Sequence, residues 1–430
     1  MCELDPQLGA YREASIEAGR YRDADSEPDY PMDPYGRSDF GAIAASGTEG
    51  LPDLLGNLQP WIKMEETRDV LNEALAYCQE KMWVEQMMGE ERKDAAIVFL
   101  PGQTNIAHNE EFYDLRQTNK VVDPEKKIFD PDEWVVQGIT KEKLGWDKPG
   151  QRKCAYIIGA IQHDSDFANF KQTALRLRKL GAERIIFLCP YLAWTRQDRA
   201  DEERGQPETI EGIMEEISLR ADGMAVMDAH STEVARLALK FKLPFCSFSG
   251  WRYLFDELIE EGYSADNSVV VGPDLGRKSH SARMAEALGT DIVSLAKKRE
   301  GEEDSAAFRP LTEEQIRVIK GKRVIIFDDV IASGGTLEKI RNLIGEYVES
   351  ITVIASHALF IGDAIRTLSN PMFKKIVITD SRELAERPPI GKKFGIISCV
   401  PPINKFLRQD MIGSFNPWKD SYFKDVVTSV

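Results

Sequence analysis

Two adjacent carboxylates followed by a hydroxyl- and glycine-rich turn make the segment Val324-Ile325-Ile326-Phe327-Asp328-Asp329-Val330-Ile331-Ala332-Ser333-Gly334-Gly335-Thr336-Leu337 the part of this chain best equipped for chemistry. An apolar, β-branched run of this kind reads as a buried strand that delivers Asp328 and Asp329 at its C-terminal end, where ligands bind in open α/β sheets. A helix is expected from about 337 to 344, entered through Ser333, Gly334, Gly335 and Thr336. Adjacent glycines let backbone N–H groups close around an anion at a helix N-terminus, and Ser333 and Thr336 add hydroxyl donors. Paired carboxylates beside such a cradle suit the vicinal hydroxyls of a ribose 5-phosphate, each carboxylate accepting from one hydroxyl.

Four further segments carry polar groups next to expected strands. Pro190-Tyr191-Leu192-Ala193-Trp194-Thr195-Arg196-Gln197-Asp198-Arg199 follows a strand, as does Met227-Asp228-Ala229-His230-Ser231, in which period-2 alternation puts Asp228 and His230 on one side. Val271-Gly272-Pro273-Asp274-Leu275-Gly276-Arg277-Lys278 closes a third strand, and Lys297-Lys298-Arg299 opens a polar stretch. Each has a plain alternative taken alone: a solvated loop, a structural histidine, a turn, a surface basic patch.

The Asp-Asp turn resembles the signature of the type I phosphoribosyltransferase fold, and the four companions together resemble the ribose-phosphate diphosphokinase family, which makes phosphoribosyl pyrophosphate (PRPP) from ATP and ribose 5-phosphate. The resemblance covers roughly residues 95–400 and implies two tandem phosphoribosyltransferase-like domains. It also implies roles. Arg196 and Gln197 would belong to the ATP site, while His230 and Asp274 would help seat Mg²⁺. Asp274 and Gly276 would form the pyrophosphate loop, with Gly276-Arg277 where relatives carry two glycines. Lys297 and Arg299 would be the catalytic cations of a closing loop. Asp328, Asp329, Ser333, Gly334, Gly335 and Thr336 would hold the ribose phosphate. In such enzymes an aromatic-acidic stretch of a neighbouring subunit contacts adenine; Phe129-Asp130-Pro131-Asp132-Glu133 is its nearest match, carrying over Phe129 and Glu133 and implying a homo-oligomer.

Ala332 stands where many bacterial relatives have aspartate, which leaves room for a bulkier 5-substituted ribose, such as ADP-ribose, as the acceptor. A PRPP-dependent phosphoribosyltransferase and an inactive regulatory homologue are further alternatives. The first has no need of the Arg196-Gln197 segment, and the second predicts lost cations or metal ligands. Neither a P-loop nor a dinucleotide fingerprint occurs in the sequence.

These groups must be positioned by an α/β scaffold with mainly parallel sheets. Short apolar runs at 95–100, 155–161, 184–189, 224–228, 268–271, 291–295, 324–327, 351–355 and 375–379 alternate with helical stretches, the pattern of parallel sheets covered on both faces. Phe167, Phe170, Ala174, Leu177 and Leu180 share the face of one such helix. The run splits near 245–251. The expected organisation is an acidic extension with an amphipathic helix (1–92), an ATP-side domain (93–245), a ribose-phosphate-side domain (246–385) and a C-terminal segment packing back on the first domain (386–430). Residues 103–150 are expected to form loops or a small β flap.

A chain of 430 residues has ample length for such cores without disulfides. Its six scattered cysteines read as reduced structural thiols. The net charge of −16, half of it from twelve acidic residues against four arginines in the first sixty positions, disfavours nucleic acid and anionic membrane as partners. Mean hydropathy is −0.35 and no apolar run is long enough to span a bilayer, so the expected address is cytoplasmic.

Overall fold

The computed structural model describes residues 82, 83, 86, 87, 89 and 91–414, apart from 131–132, 199, 201–203, 230–231, 273–277, 297–307, 385–387, 389–390 and 392. Most of the helix expected at 61–92 lies outside these; within it Met82, Trp83, Gln86 and Met87 are helical, and Met82, Trp83 and Met87 are buried.

Fourteen strands are described. β1 (Ala96–Phe99), β2 (Val121–Val122), β5 (Cys154–Ile158), β6 (Arg184–Cys189), β7 (Gly223–Met227) and β8 (Phe245–Phe248) form one parallel sheet in the order β2-β1-β5-β6-β7-β8. β9 (Ser268–Gly272), β10 (Ile292–Ser294), β11 (Arg323–Ile331), β12 (Ser350–Ala358), β13 (Phe373–Thr379) and β14 (Phe394–Ile397) form a second in the order β10-β9-β11-β12-β13-β14. The two orders are the same, so the chain repeats one topology. Between β2 and β5, β3 (Glu125–Asp130) and β4 (Glu133–Gln137) make the expected flap as an antiparallel hairpin.

The crossovers are helical: α1 (Asp164–Lys179), α2 (Thr209–Ser218), α3 (Thr232–Lys240), α4 (Trp251–Glu260), α5 (Lys278–Leu288), α6 (Glu313–Ile319), α7 (Gly335–Ile344), α8 (Ala364–Leu368) and α9 (Val400–Met411). α1 buries Phe167, Phe170, Ala174 and Leu177, as its spacing predicts.

Burial on both faces explains why the strands read as continuous apolar runs. In β5, Ala155 and Ile157 enter one core while Cys154, Tyr156 and Ile158 enter another; in β11, Val324 and Ile326 part from Ile325 and Phe327 in the same way. The C-terminal helix α9 places Val400, Ile403, Phe406 and Leu407 in the core that holds Trp83, Ile97 and Tyr156 of the first half. Arg92, Tyr156 and Asp410 join it there in a buried ion-paired and hydrogen-bonded group.

Two differences from the sequence expectation have simple causes. β8 falls where the split was expected; it completes the first sheet, and α4 after it packs Leu254 and Leu258 into the second half. β11 runs four residues beyond Phe327, because β12 continues to pair with it, at Val330 with His357 and at Ile331 with Ala358. The four described cysteines, Cys154, Cys189, Cys246 and Cys399, are buried and form no disulfide.

Candidate active site

The polar groups of interest sit at the C-terminal ends of the parallel strands. On the second half, Asp328 and Asp329 lie within β11, beside the point where the strand order reverses between β9 and β11. The Asp329 N–H donates to Asp328 Oδ1 at 3.0 Å and the Val330 N–H to Asp329 Oδ1 at 2.9 Å, so each carboxylate is oriented by the next peptide. Asp328 is buried and Asp329 half-buried.

The turn that follows brings Ser333, Gly334, Gly335 and Thr336 to the start of α7. Gly334 is its N-cap at φ +77°, a left-handed conformation that a side chain would strain. Ser333 and Thr336 are exposed. The helix starts at Gly335, two residues before the expected 337, which gathers all four turn residues at its N-terminal end, where peptide N–H groups and the helix dipole favour a phosphate.

On the first half, β6 ends in a turn through Trp194, at φ +63°, closed by the Gln197 N–H donating to Trp194 O at 2.8 Å. Arg196 and Gln197 are exposed there. Burial pushes the Tyr191 hydroxyl up, and the charges of Arg382 and, less strongly, Arg196 oppose the shift. The Arg382 guanidinium stands 5.0 Å from the Tyr191 ring centroid, and the ring of His357 meets Tyr191 edge-on at 5.1 Å. The first half's strand ends therefore face the second half's. Nearby Cys189, fully buried, is pushed up to about 12 by desolvation, which keeps it a thiol and excludes it as a nucleophile.

Asp228 closes this ring from β7. Burial raises its carboxyl above the usual range, against hydrogen bonds from Ser356, Gly250 and Ser249. Among the described non-glycine residues at positive φ, Trp194, Asp228 and Phe360 (+46°) all follow strand C-terminal ends, the kind of place where strain accompanies function.

The expected residues divide as follows. Arg196, Gln197, Asp328, Asp329, Ser333, Gly334, Gly335 and Thr336 stand at strand ends of this crevice. Phe129 and Glu133 lie at the tip of the β3–β4 hairpin, which is anchored instead on α1, by Trp134 Nε1 donating to Asn169 Oδ1 and the Val136 N–H to Gln172 Oε1, both at 2.8 Å. Phe129 is 60% exposed. His230, Asp274, Gly276, Lys297 and Arg299 lie outside the described residues. Sequence reasoning missed Ser249-Gly250, Ser356-His357 and Ser381-Arg382; the signal was available, since each pair begins within two residues of the C-terminal end of an apolar parallel strand.

Among the described residues no group of three or more His, Cys, Asp or Glu side chains could hold a metal ion. Mg²⁺ commonly takes only one or two carboxylates together with substrate phosphates. The half-buried Asp329 carboxylate on β11 is of the donor type such an ion takes. No helix among the described residues is long and apolar enough to cross a membrane.

Comparison with known proteins agrees with this geometry. Residues 248–380 match the phosphoribosyl transferase domain family. The ribose-phosphate pyrophosphokinase of Aquifex aeolicus is 28% identical over 267 residues, 60% of this chain and 81% of that one. That of Pyrococcus furiosus is 30% identical over 234 residues, 54% of this chain and 76% of that one. Among solved structures, phosphoribosylpyrophosphate synthetase from Mycobacterium smegmatis superposes with a TM-score of 0.60 at 20% identity, over 74% of this chain and 98% of that one, a likeness of fold. The tandem phosphoribosyltransferase-like architecture is thus the one observed.

Proposed function

The chain belongs to the ribose-phosphate pyrophosphokinase family, and we propose that it transfers the β,γ-diphosphoryl group of MgATP to the anomeric hydroxyl of ribose 5-phosphate, giving PRPP and AMP. The anomeric oxygen attacks the β-phosphorus, the bond from that phosphorus to the α,β-bridging oxygen breaks, AMP leaves with that oxygen, and the hydroxyl proton passes to solvent. The observation that carries this reading is the Asp328-Asp329 pair at the end of β11 beside a phosphate-type helix N-terminus, in a chain that repeats one sheet topology.

Positioning and charge stabilisation do most of the work in such transfers. Asp328 and Asp329 accept from the ribose hydroxyls, and Ser333 to Thr336 hold the 5-phosphate. Arg196 and Gln197 hold ATP, with Phe129 and Glu133 of a neighbouring copy at the adenine. His230 and Asp274 would hold Mg²⁺ with phosphate oxygens of ATP; the ion supplies charge neutralisation on the transferring group. Gly276 lets the Asp274 loop approach the pyrophosphate. Lys297 and Arg299 neutralise charge that builds up in the transition state.

A second acceptor is favoured by one feature. A cleft of about 430 Å³ runs from Ser333 between α7 and α8, lined by Glu338, Arg341, Asp363, Arg366 and Asn370 among others, and Ala332, next to Ser333 in the chain, carries no carboxylate. Its mixed hydroxyl, amide, carboxylate and guanidinium lining suits a longer polar 5-substituent, such as that of ADP-ribose. Competing ribose 5-phosphate against ADP-ribose for limiting MgATP, with products identified by mass, tests both. Ribose 5-phosphate is expected to be diphosphorylated; exclusive use of ADP-ribose would replace it as the acceptor, and AMP from neither would sink the reading.

A further inference from the structure

One buried polar seam joins the two halves at the crevice and has no place in the chemistry above. Asp228, 9% exposed, is held at φ +43°. Its Oδ2 accepts from the Gly250 N–H at 2.9 Å and from the Ser356 hydroxyl at 2.6 Å, while its own N–H donates to Phe248 O at 2.9 Å. Phe248 belongs to the first sheet, whereas Ser356 lies on β12 of the second.

The register gives this bond its meaning. Asp328 pairs with Ala355 and Val330 with His357, which sets Ser356 level with Asp329 on the neighbouring strand. Asp228 is two residues from His230. The Ser356–Asp228 bond therefore ties the end of β7, two residues before His230 in the chain, to the strand position level with Asp329.

A second tie runs beside it. His357 Nε2 lies 3.1 Å from Met227 O on β7, and Nδ1 lies 2.8 Å from Ser381 Oγ. A carbonyl can only accept, so Nε2 carries the proton toward Met227. Thr379 donates to Ser356 O, which fixes the residue that bridges to Asp228. Ser356, His357, Thr379 and Ser381 are all buried, so water cannot substitute for these bonds without opening the seam.

We propose that Asp228, Ser356 and His357 form a clamp that sets the separation between the nucleotide half and the acceptor half, and that they act as positioning residues for the transfer without touching either substrate. The inference rests on the diphosphoryl-transfer reading. In-line attack between groups carried by different halves is sensitive to their spacing, and a misplacement of about 1 Å costs on the order of 10²-fold in rate. Each half would still bind its own substrate with the clamp loosened, so loss should fall on kcat and spare KM.

The test compares the full-length protein with Ser356→Ala, Asp228→Gly and Asp228→Asn, measuring AMP release with both substrates varied, and thermal midpoints alongside. Glycine keeps the left-handed backbone but removes the carboxylate; asparagine keeps an oxygen able to accept both bonds. Ser356→Ala and Asp228→Gly are expected to lower kcat about tenfold or more, with both KM values within roughly threefold, and Asp228→Asn to recover most of the rate lost in Asp228→Gly. Wild-type kcat in folded Ser356→Ala, or Asp228→Asn no better than Asp228→Gly, would overturn the clamp. If the wild type itself releases no AMP, the reaction assigned above fails, and the clamp is then judged by backbone hydrogen exchange. Faster exchange at Gly250 and at 356–358 in Ser356→Ala upholds it as the tie between halves, and unchanged exchange refutes it.

Discussion

At the scale of single residues, the acceptor site was the part most legible in the sequence, because its chemistry is local. Asp328, Asp329 and the Ser333–Thr336 turn are neighbours in the chain, so a strand, a turn and a helix start suffice to assemble them. The Asp228–Ser356 bond spans 128 positions and depends on how two sheets face each other, which no local pattern reveals. Substituting Asp329→Asn tests the local assignment. It keeps an oxygen for the Val330 N–H but weakens acceptance from a sugar hydroxyl, so KM for ribose 5-phosphate is expected to rise about tenfold while KM for ATP changes little. Steady-state kinetics with each substrate varied measures it, and an equal rise in both KM values would argue against a ribose-specific role.

At the scale of elements, the repeated strand order raises the question of why only one half would carry the cradle. In the first half, the equivalent switch between β1 and β5 is filled. Gln103 is buried there and bonds both the carbonyl and the N–H of Ala160 at 3.3 Å, while a Cβ at Gly159 would come within 2.7 Å of Leu100. The helix that follows, α1, is capped by its own Asp166, whose Oδ2 accepts from the N–H groups of Gln162 and His163 at 3.1 Å. A carboxylate already occupies the place of an anion. Titration calorimetry should therefore give one ribose 5-phosphate per chain; two equivalent sites would contradict the plugged-half account.

Packing between elements also carries a pH dependence. Lys375 of β13, nearly buried, donates to Glu257 and Glu261 of and just beyond α4. The Lys375 hydrogen bond holds the Glu261 carboxyl below its usual range. A carboxylate depressed in the folded state contributes stability above its unfolded pKa of about 4.3, and that contribution is lost as pH falls through the folded value. Lys375→Met should destabilise by about 1–2 kcal/mol at neutral pH, the partial exposure of both glutamates keeping it small. The gap from wild type should narrow below about pH 4. Urea unfolding across pH measures it, and a pH-independent gap would assign the loss to packing instead.

At the scale of the whole molecule, strands were readable because burial on both faces writes them as apolar runs, whereas β2, β8 and β14 were not, all three being sheet-edge strands of four residues or fewer. The hairpin was foreseen only as a flap, and its tip exposes Ile128 and Phe129 at 67% and 60%, more apolar surface than a two-stranded arm needs for itself. An adenine pocket completed by a neighbour's hairpin requires an assembly. Light scattering should find more than one chain per particle, with Phe129→Asp shifting it toward monomer, and a fully active monomer would refute that role. The central claim, that the two halves meet to move a diphosphoryl group as a unit, is tested most directly by following isotope from ATP labelled at the β- or the γ-phosphorus. With ribose 5-phosphate as acceptor, both labels are expected in the sugar product and neither in the AMP released. Transfer of the γ-label alone, with ADP as the other product, would contradict it.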